Sequence, residues 1–259
     1  MKYPLNVLVA CESSGTVRDA FTRLGHRAVS CDLLPCDVPG DHIVGDARDR
    51  LGAGWDLLVA HPPCTYLSSS GMHWTTRGLR DPKLTEDALE LVRAFMDAPI
   101  PRICIENPVG VISTRIRKPD QFVQPYEFGH DASKRTCLWF KNLTPLPLDY
   151  FLRIPPRIVG GKPRWGNQTD SGQNRLGPSE LRWQLRSKTY QGIADAMARA
   201  WGGDSGWRRV SYAGDIPAGT DECQVCGGDY TECPCPGPMQ DGFDYQDFHG
   251  VMFARRTNP

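Results

Sequence analysis

Six short, mostly apolar runs constrain the fold more than any other feature. They are Asn6–Ala10, His26–Cys31, His42–Val44, Asp56–Ala60, Arg102–Ile105 and Thr136–Phe140. Within most of them apolar residues follow one another without polar alternation. Such strands are buried on both faces, the habit of parallel sheets covered by helices. Val17–Leu24, Leu84–Met96 and Tyr190–Trp201 carry apolar residues at helical spacing, and Gly25 and Gly202-Gly203 close two of them. Strands that alternate with helices predict an α/β fold. The high Gly and Pro content, 26 and 22 residues, argues for long loops and against a helical bundle.

In open α/β sheets, ligands bind at the carboxyl ends of the strands. Glu12, Asp32, Asp46, Cys64 and Glu106 fall there. The turn Cys11, Glu12, Ser13, Ser14, Gly15 has small residues that let backbone approach a ligand. Asp32 is placed to take ribose hydroxyls, and Asp46 to accept from an adenine amino group. Cys64 follows Pro62-Pro63 and precedes a loop of small polar residues, a setting for a thiolate nucleophile. Glu106, before the Asn107-Pro108 turn, is placed to protonate or hydrogen-bond a substrate. Singly, each of these also reads as an ordinary turn, core or strand-end residue; together they read as one site.

The zero formal net charge excludes a polybasic whole-chain binder, yet charge is unevenly spread. Residues 141–190 hold nine Lys/Arg against three acids, a net of +6, whereas 204–259 hold nine acids against four Arg, a net of −5. A basic stretch on a neutral body suggests a polyanionic partner. Residues 144–185 have little periodicity and read as an insertion, with Arg153, Arg157, Lys162, Arg164, Arg175 and Arg182 beside Trp165, Asn167, Gln168, Gln173 and Asn174. A boundary is expected at Gly202-Gly203, giving a domain over 1–203 and an acidic tail over 204–259. In that tail Cys223-x2-Cys226-x6-Cys233-x-Cys235 offers four thiolates for a structural zinc, or else an oxidisable segment. MKYPLNVLVA lacks the features of a signal peptide, and no apolar run is long enough to span a bilayer. A soluble cytoplasmic protein is expected, with its scattered cysteines as free thiols.

Pro63-Cys64 with Ser68 and Gly71 resembles the Pro-Cys loop of DNA cytosine-5 methyltransferases, and Glu106-Asn107 resembles their Glu-Asn motif. Cys11–Gly15, Asp32 and Asp46 resemble the first three cofactor motifs, and Ser133-Lys134-Arg135 part of their Gln-x-Arg-x-Arg motif. The order agrees over residues 5–201, and the compact DNA methylases of bacteriophages look closest. The resemblance implies a Rossmann-like methyltransferase sheet that binds S-adenosylmethionine through these residues and Pro62. It implies attack of Cys64 on a flipped cytosine of double-stranded DNA, with Glu106 on the ring and Arg135 holding the nucleotide. It makes 144–185 a target-recognition region; a monomer is expected, in the host cytoplasm if phage-encoded.

The chain departs from the family pattern at several places. Ala-Cys-Glu-Ser-Ser-Gly stands for Phe-x-Gly-x-Gly, Thr65 for Gln, Cys137 for the second Arg, and Arg186-Ser187-Lys188-Thr189-Tyr190 for Gly-Asn. Arg186 and Lys188 either touch phosphates or welcome a carboxylated cofactor analogue that would transfer a carboxymethyl group. Two further readings fit the same residues: an enzyme acting on a free pyrimidine nucleotide, and a non-enzymatic DNA-binding relative.

Overall fold

The computed structural model describes residues 4–148, 150–177, 179, 182–203, 208–209, 243–248 and 251–256. They form two compact units, 1–203 and 204–259.

The first unit is a Rossmann-like α/β sheet. Its strands are β1 (Asn6–Ala10), β2 (Arg27–Asp32), β3 (His42–Val44), β4 (Leu57–Ala60), β5 (Ile103–Pro108), β6 (Gln121–Val123) and β7 (Thr136–Lys141), in the order β3-β2-β1-β4-β5-β7-β6. All neighbours are parallel except β7, which runs antiparallel to both β5 and β6. The order reverses between β1 and β4, the topological switch point at which such sheets bind ligands.

Alternate residues of each central strand face opposite layers. Val7, Val9, Leu57 and Val59 pack under α1 (Thr16–Arg23) and α7 (Gln191–Gly202), against Val17, Phe21, Ile193, Met197 and Trp201. Leu8, Leu58, Ile103 and Ile105 pack under α4 (Lys83–Met96), against Leu89, Val92 and Phe95. Both faces are therefore dry, which accounts for the unbroken apolar runs.

Two local features depart from expectation. Strand β5 runs on to Pro108, so Glu106 and Asn107 lie inside it, opposite Leu138 and Cys137, instead of at a turn beyond it. The antiparallel partner β7 supplies pairing that an isolated reading of Glu-Asn-Pro lacks. The segment after Pro63 is helical, with α2 (Cys64–Leu67) and α3 (Ser69–Thr76); the Ser68 hydroxyl caps α3 by accepting from the Gly71 N–H at 3.2 Å. The loop after β5 is stitched to these helices by Ser69 N–H to Val109 O and Val111 N–H to Leu67 O, at 2.9 and 2.8 Å. A Cβ at Gly110 would collide with the Leu67 carbonyl, so the close approach requires glycine.

The insertion contains a hairpin of β8 (Arg157–Val159) and β9 (Lys162–Arg164), and α5 (Ile112–Arg115) and α6 (Arg182–Ser187) complete the first unit. The second unit has a three-stranded antiparallel sheet of β10 (Arg208–Arg209), β11 (Phe243–Phe248) and β12 (Val251–Arg256). Among the described residues no helix is long and apolar enough to cross a membrane.

Arg18 on α1 is 1% exposed and works as a spoke. Its guanidinium donates to Asp19 at 2.7 Å, Ser30 Oγ at 3.3 Å, Cys36 Sγ at 3.2 Å and the Pro39 carbonyl at 2.8 Å. It thereby fastens the loop between β2 and β3 to the helix. Arg18→Ala removes these four bonds and empties a buried side-chain site, and a loss on the order of 3 kcal/mol is expected, read as a lower urea midpoint. An unchanged midpoint would mean that the loop is held by other contacts.

Candidate active site at the switch point

A cavity of about 530 Å³ opens over the carboxyl ends of β1, β2 and β4. Cys11 begins its floor in the left-handed region, with φ 58°, and its N–H donates to the Cys31 carbonyl at 2.7 Å. Gly15, with φ 72°, lets the chain turn into α1. Between them, Glu12 is only 4% exposed. Its carboxylate accepts from the Val17 and Arg18 N–H groups at 2.7 and 3.2 Å and from Ser14 Oγ at 3.2 Å. The N-terminus of α1 thus carries an anion of its own, where dinucleotide folds place a pyrophosphate. Ser13 joins the wall, and its carbonyl accepts from the Asp37 N–H at 2.8 Å.

Asp32 and Asp46 also line this cavity, in unlike states. One oxygen of Asp32 accepts from the Leu34 N–H at 2.9 Å. Asp46 caps the helical turn 47–50, and both its oxygens bind the Arg48 guanidinium. That pairing holds its carboxyl below the usual range. Any adenine bound there must share Asp46 with Arg48.

Cys64 lines the same cavity, at the start of α2. Two adjacent residues of β5 grip the loop that delivers it. Asn107, 1% exposed, donates from Nδ2 to the Pro62 carbonyl at 2.7 Å, and Glu106 Oε2 lies 2.9 Å from His61 Nδ1. Burial raises the Glu106 carboxyl, but the His61 hydrogen bond and the charge of Lys134 outweigh it and leave it below its ordinary value. Burial pushes the Cys64 thiol up, against the pull of Lys134 and Arg186. At rest the sulfur is therefore a protonated thiol.

The cation beside Cys64 and Glu106 is Lys134. The guanidinium of neighbouring Arg135 sits over the Phe122 ring, 4.0 Å from its centroid, and lines a second cavity. Sequence reasoning gives no role to His61 or Lys134. A histidine bordering Pro-Pro-Cys is a signal that could have found the first.

The second cavity, about 630 Å³, has Cys64 and Lys134 in its wall as well. Its charged lining is Arg80, Lys134, Arg135, Arg186 and Lys188, with no carboxylate among the described residues. The first cavity is the opposite: Glu12, Asp32, Asp46, Asp87, Glu90 and Glu106 face Arg48, Lys134 and Lys188. Trp74 of α3, 51% exposed, stands on the rim of the basic cavity. At the mouth of the acidic one, Lys188 Nζ pairs with Asp37 at 2.8 Å and Gln184 donates to the same carboxylate at 3.2 Å, a clasp between α6 and the β2–β3 loop.

The insertion spends much of its side-chain chemistry on itself and on the segment 126–133 against which it packs. Asn167 donates to and accepts from the Ser133 backbone at 3.0 and 2.9 Å, Trp165 stacks on Tyr126 at 4.2 Å, and Arg157 pairs with Asp170 at 2.5 Å. Arg164 and Arg175 bond the carbonyls of Asp170 and Gln168. These groups shape the wall beside Lys134, and Asn167, Gln168 and Asn174 still face the basic cavity.

Cys223, Cys226, Cys233 and Cys235 lie outside the described residues. Among the described residues no cluster of metal-ligating side chains occurs.

No protein-family description and no curated protein matches the chain. A solved structure of a protein described as a DNA modification methyltransferase encoded within a prophage (E. coli) is similar over 52% of this chain, at 12% identity and TM-score 0.37. The match covers 46% of that protein, so it takes in about half of each chain.

The state of Cys64 predicts its reactivity. Because its thiol is raised from 9.0, the thiolate fraction grows with pH through and beyond that value. Alkylation of Cys64 by iodoacetamide, followed by peptide mass spectrometry, is expected to accelerate up to pH 9 and past it. A plateau near neutral pH would mean that Lys134 and Arg186 outweigh burial.

Proposed function

We propose that the chain is a DNA cytosine-5 methyltransferase. The observation that carries this reading is the place of Cys64, on the wall shared by an acid-lined and a cation-lined cavity. A basic cavity without carboxylates among the described residues suits a polyanion such as DNA, and a nucleotide turned out of the duplex would enter it beside Cys64. An acid-lined cavity suits a cationic donor. S-adenosylmethionine, a sulfonium, supplies a transferable methyl group when bound. The residues present fit it: Glu12 already neutralises the α1 N-terminus, which disfavours the pyrophosphate of a dinucleotide, and Asp32 remains for a ribose.

The chain's own residues then act in sequence. Lys134, Arg135 and Arg186 hold the nucleotide's phosphates at the basic cavity, and its base reaches past Cys64 and Lys134, on the shared wall, to Glu106 in the acid-lined cavity. There Glu106 faces the ring nitrogen and exocyclic amine of the cytosine. A carboxylate there raises the ring nitrogen's affinity for a proton, and a proton on that nitrogen draws electrons from carbon 6. Cys64 gives its proton to water, and its sulfur bonds carbon 6 as the electron pair of the 5,6 double bond moves toward carbon 5. Carbon 5 takes the methyl group, and the sulfonium donor would be left as a neutral thioether. Water takes the carbon-5 proton, the carbon–sulfur bond breaks with its electron pair returning to sulfur, and the double bond is restored, so that one methyl enters and one proton leaves.

A carboxylated donor would call on both Arg186 and Lys188. Lys188 is engaged by Asp37, which removes half of that argument. Besides Lys188, which Asp37 pairs, the basic cavity presents Arg80, Lys134, Arg135 and Arg186, more positive charge than one free nucleotide phosphate would match.

The test is expression of the chain and of Cys64→Ala in a host that lacks cytosine methylation, followed by nucleoside mass spectrometry of the DNA. The expected outcome is 5-methylcytosine with the wild type and none with Cys64→Ala, while the variant still binds S-adenosylmethionine in calorimetry. Methylated adenine, a heavier cytosine adduct, or unmodified DNA from a cofactor-binding wild type would overturn the reading.

A further inference from the structure

His61 has no part in the scheme above, yet it is built into the site. Its N–H donates to the Ala10 carbonyl at 2.9 Å, at the switch point itself. Its side chain is 10% exposed, and Nδ1 lies 2.9 Å from Glu106 Oε2. Its Nε2 is buried without a partner among the described residues. The hydrogen bond selects the tautomer. A proton on Nδ1 is given to the carboxylate and leaves Nε2 a bare acceptor, whereas the other tautomer would bury an unpaired N–H and aim a lone pair at a carboxylate.

We propose that His61 is a positioning residue for Glu106: its ring donates to one carboxylate oxygen and so presents the other to the reacting base. The inference rests on the methyltransferase reading only for what that base is. A glutamate side chain has three rotatable bonds, and fixing one oxygen fixes the aim of the other. The backbone of the nucleophile loop has its own anchor, the Asn107 amide on the Pro62 carbonyl. Thr136 also hydrogen-bonds the carboxylate, so loss of the His61 ring removes one of its two side-chain partners and loosens its aim, while Cys64 stays held. The other titratable groups that bear on Glu106 are Lys134 and the thiols of Cys64, Cys104 and Cys137. Of these and His61, His61 and Lys134 favour its ionised form.

Three variants test this. His61→Leu fills the ring's volume without a donor, His61→Ala removes it, and His61→Asn puts an amide N–H near the place of Nδ1. With the leucine and alanine variants, single-turnover methyl transfer is expected to fall on the order of 100-fold. DNA KM and S-adenosylmethionine binding are expected to stay at wild-type values, and His61→Asn to recover most of the rate. An infrared titration of the ligand-free proteins, with the Glu106 band assigned by Glu106→Gln, supplies a readout independent of activity. Without the His61 hydrogen bond, Lys134 and Thr136 alone oppose burial and the Glu106 transition moves to higher pH; His61→Asn moves it back. A folded, cofactor-binding His61→Leu protein with wild-type turnover or an unmoved Glu106 titration would overturn the proposal. So would an asparagine variant no better than leucine. A wild-type chain that leaves DNA unmethylated, with the Glu106 shift intact, overturns the methyltransferase reading and supports the positioning role.

Discussion

The buried amide of Asn107 joins the two strands on which the site depends. Its donation to the Pro62 carbonyl spans β5 and the exit of β4, and both groups are shielded from water. A buried donor or acceptor left unpaired costs about 1–3 kcal/mol, so the loop has little freedom to leave this position. Glu106, one residue earlier on the same strand, holds His61, one residue before Pro62. Two consecutive residues of one strand thus grip two consecutive residues of the next loop. Pro63 and Cys64 follow with their path already set. The antiparallel strand β7 makes this possible by keeping β5 regular as far as Pro108.

Around that grip the charges are partitioned. The carboxylates line the cavity over β1 and β2, the cations line the cavity under the insertion, and Cys64 and Lys134 belong to both. The partition has a local origin on the acidic side, where Glu12 turns back to cap α1 and fills the helix N-terminus that would otherwise attract a phosphate. On the basic side its origin is tertiary. Cations from the α3–α4 loop, the approach to β7, and α6 and the residue after it converge where, among the described residues, no acid enters. The Asp37–Lys188 pair marks the border between the two fields and ties α6 to the loop that Arg18 fastens from below.

The insertion shows how charge counted along a chain misleads. Its net positive charge suggests a row of phosphate and base contacts, yet Arg157, Arg164 and Arg175 hold their own loop together. A loop with little apolar burial must satisfy its backbone carbonyls with side chains, and arginine, with five donors, serves well. The cations that do face the basic cavity, Arg80, Lys134, Arg135, Arg186 and Lys188, lie outside 144–185.

What was legible in the sequence follows from local rules. Dry parallel strands cannot alternate, so their apolar runs mark β1, β2, β4 and β5, and amphipathic spacing marks α1, α4 and α7. Once the sheet is parallel, the ends of its strands place Asp32, Asp46 and Cys64 around one cavity. The three-residue strand β6 is too short to show a period, and α2 and α3 depend on the Ser68 cap and the close approach of Gly110. Lys134 and Arg135 are neighbours of like charge, and nothing local says which faces Glu106. The position of β7 decides it, by sending Lys134 toward the carboxylate and Arg135 toward the Phe122 ring on β6. The sequence by itself thus determined the central strands, the long helices that cover them and the ends where chemistry gathers. Only the tertiary structure decided which side chains meet there, because His61 and Glu106 are 45 residues apart and touch only once β4 and β5 pair.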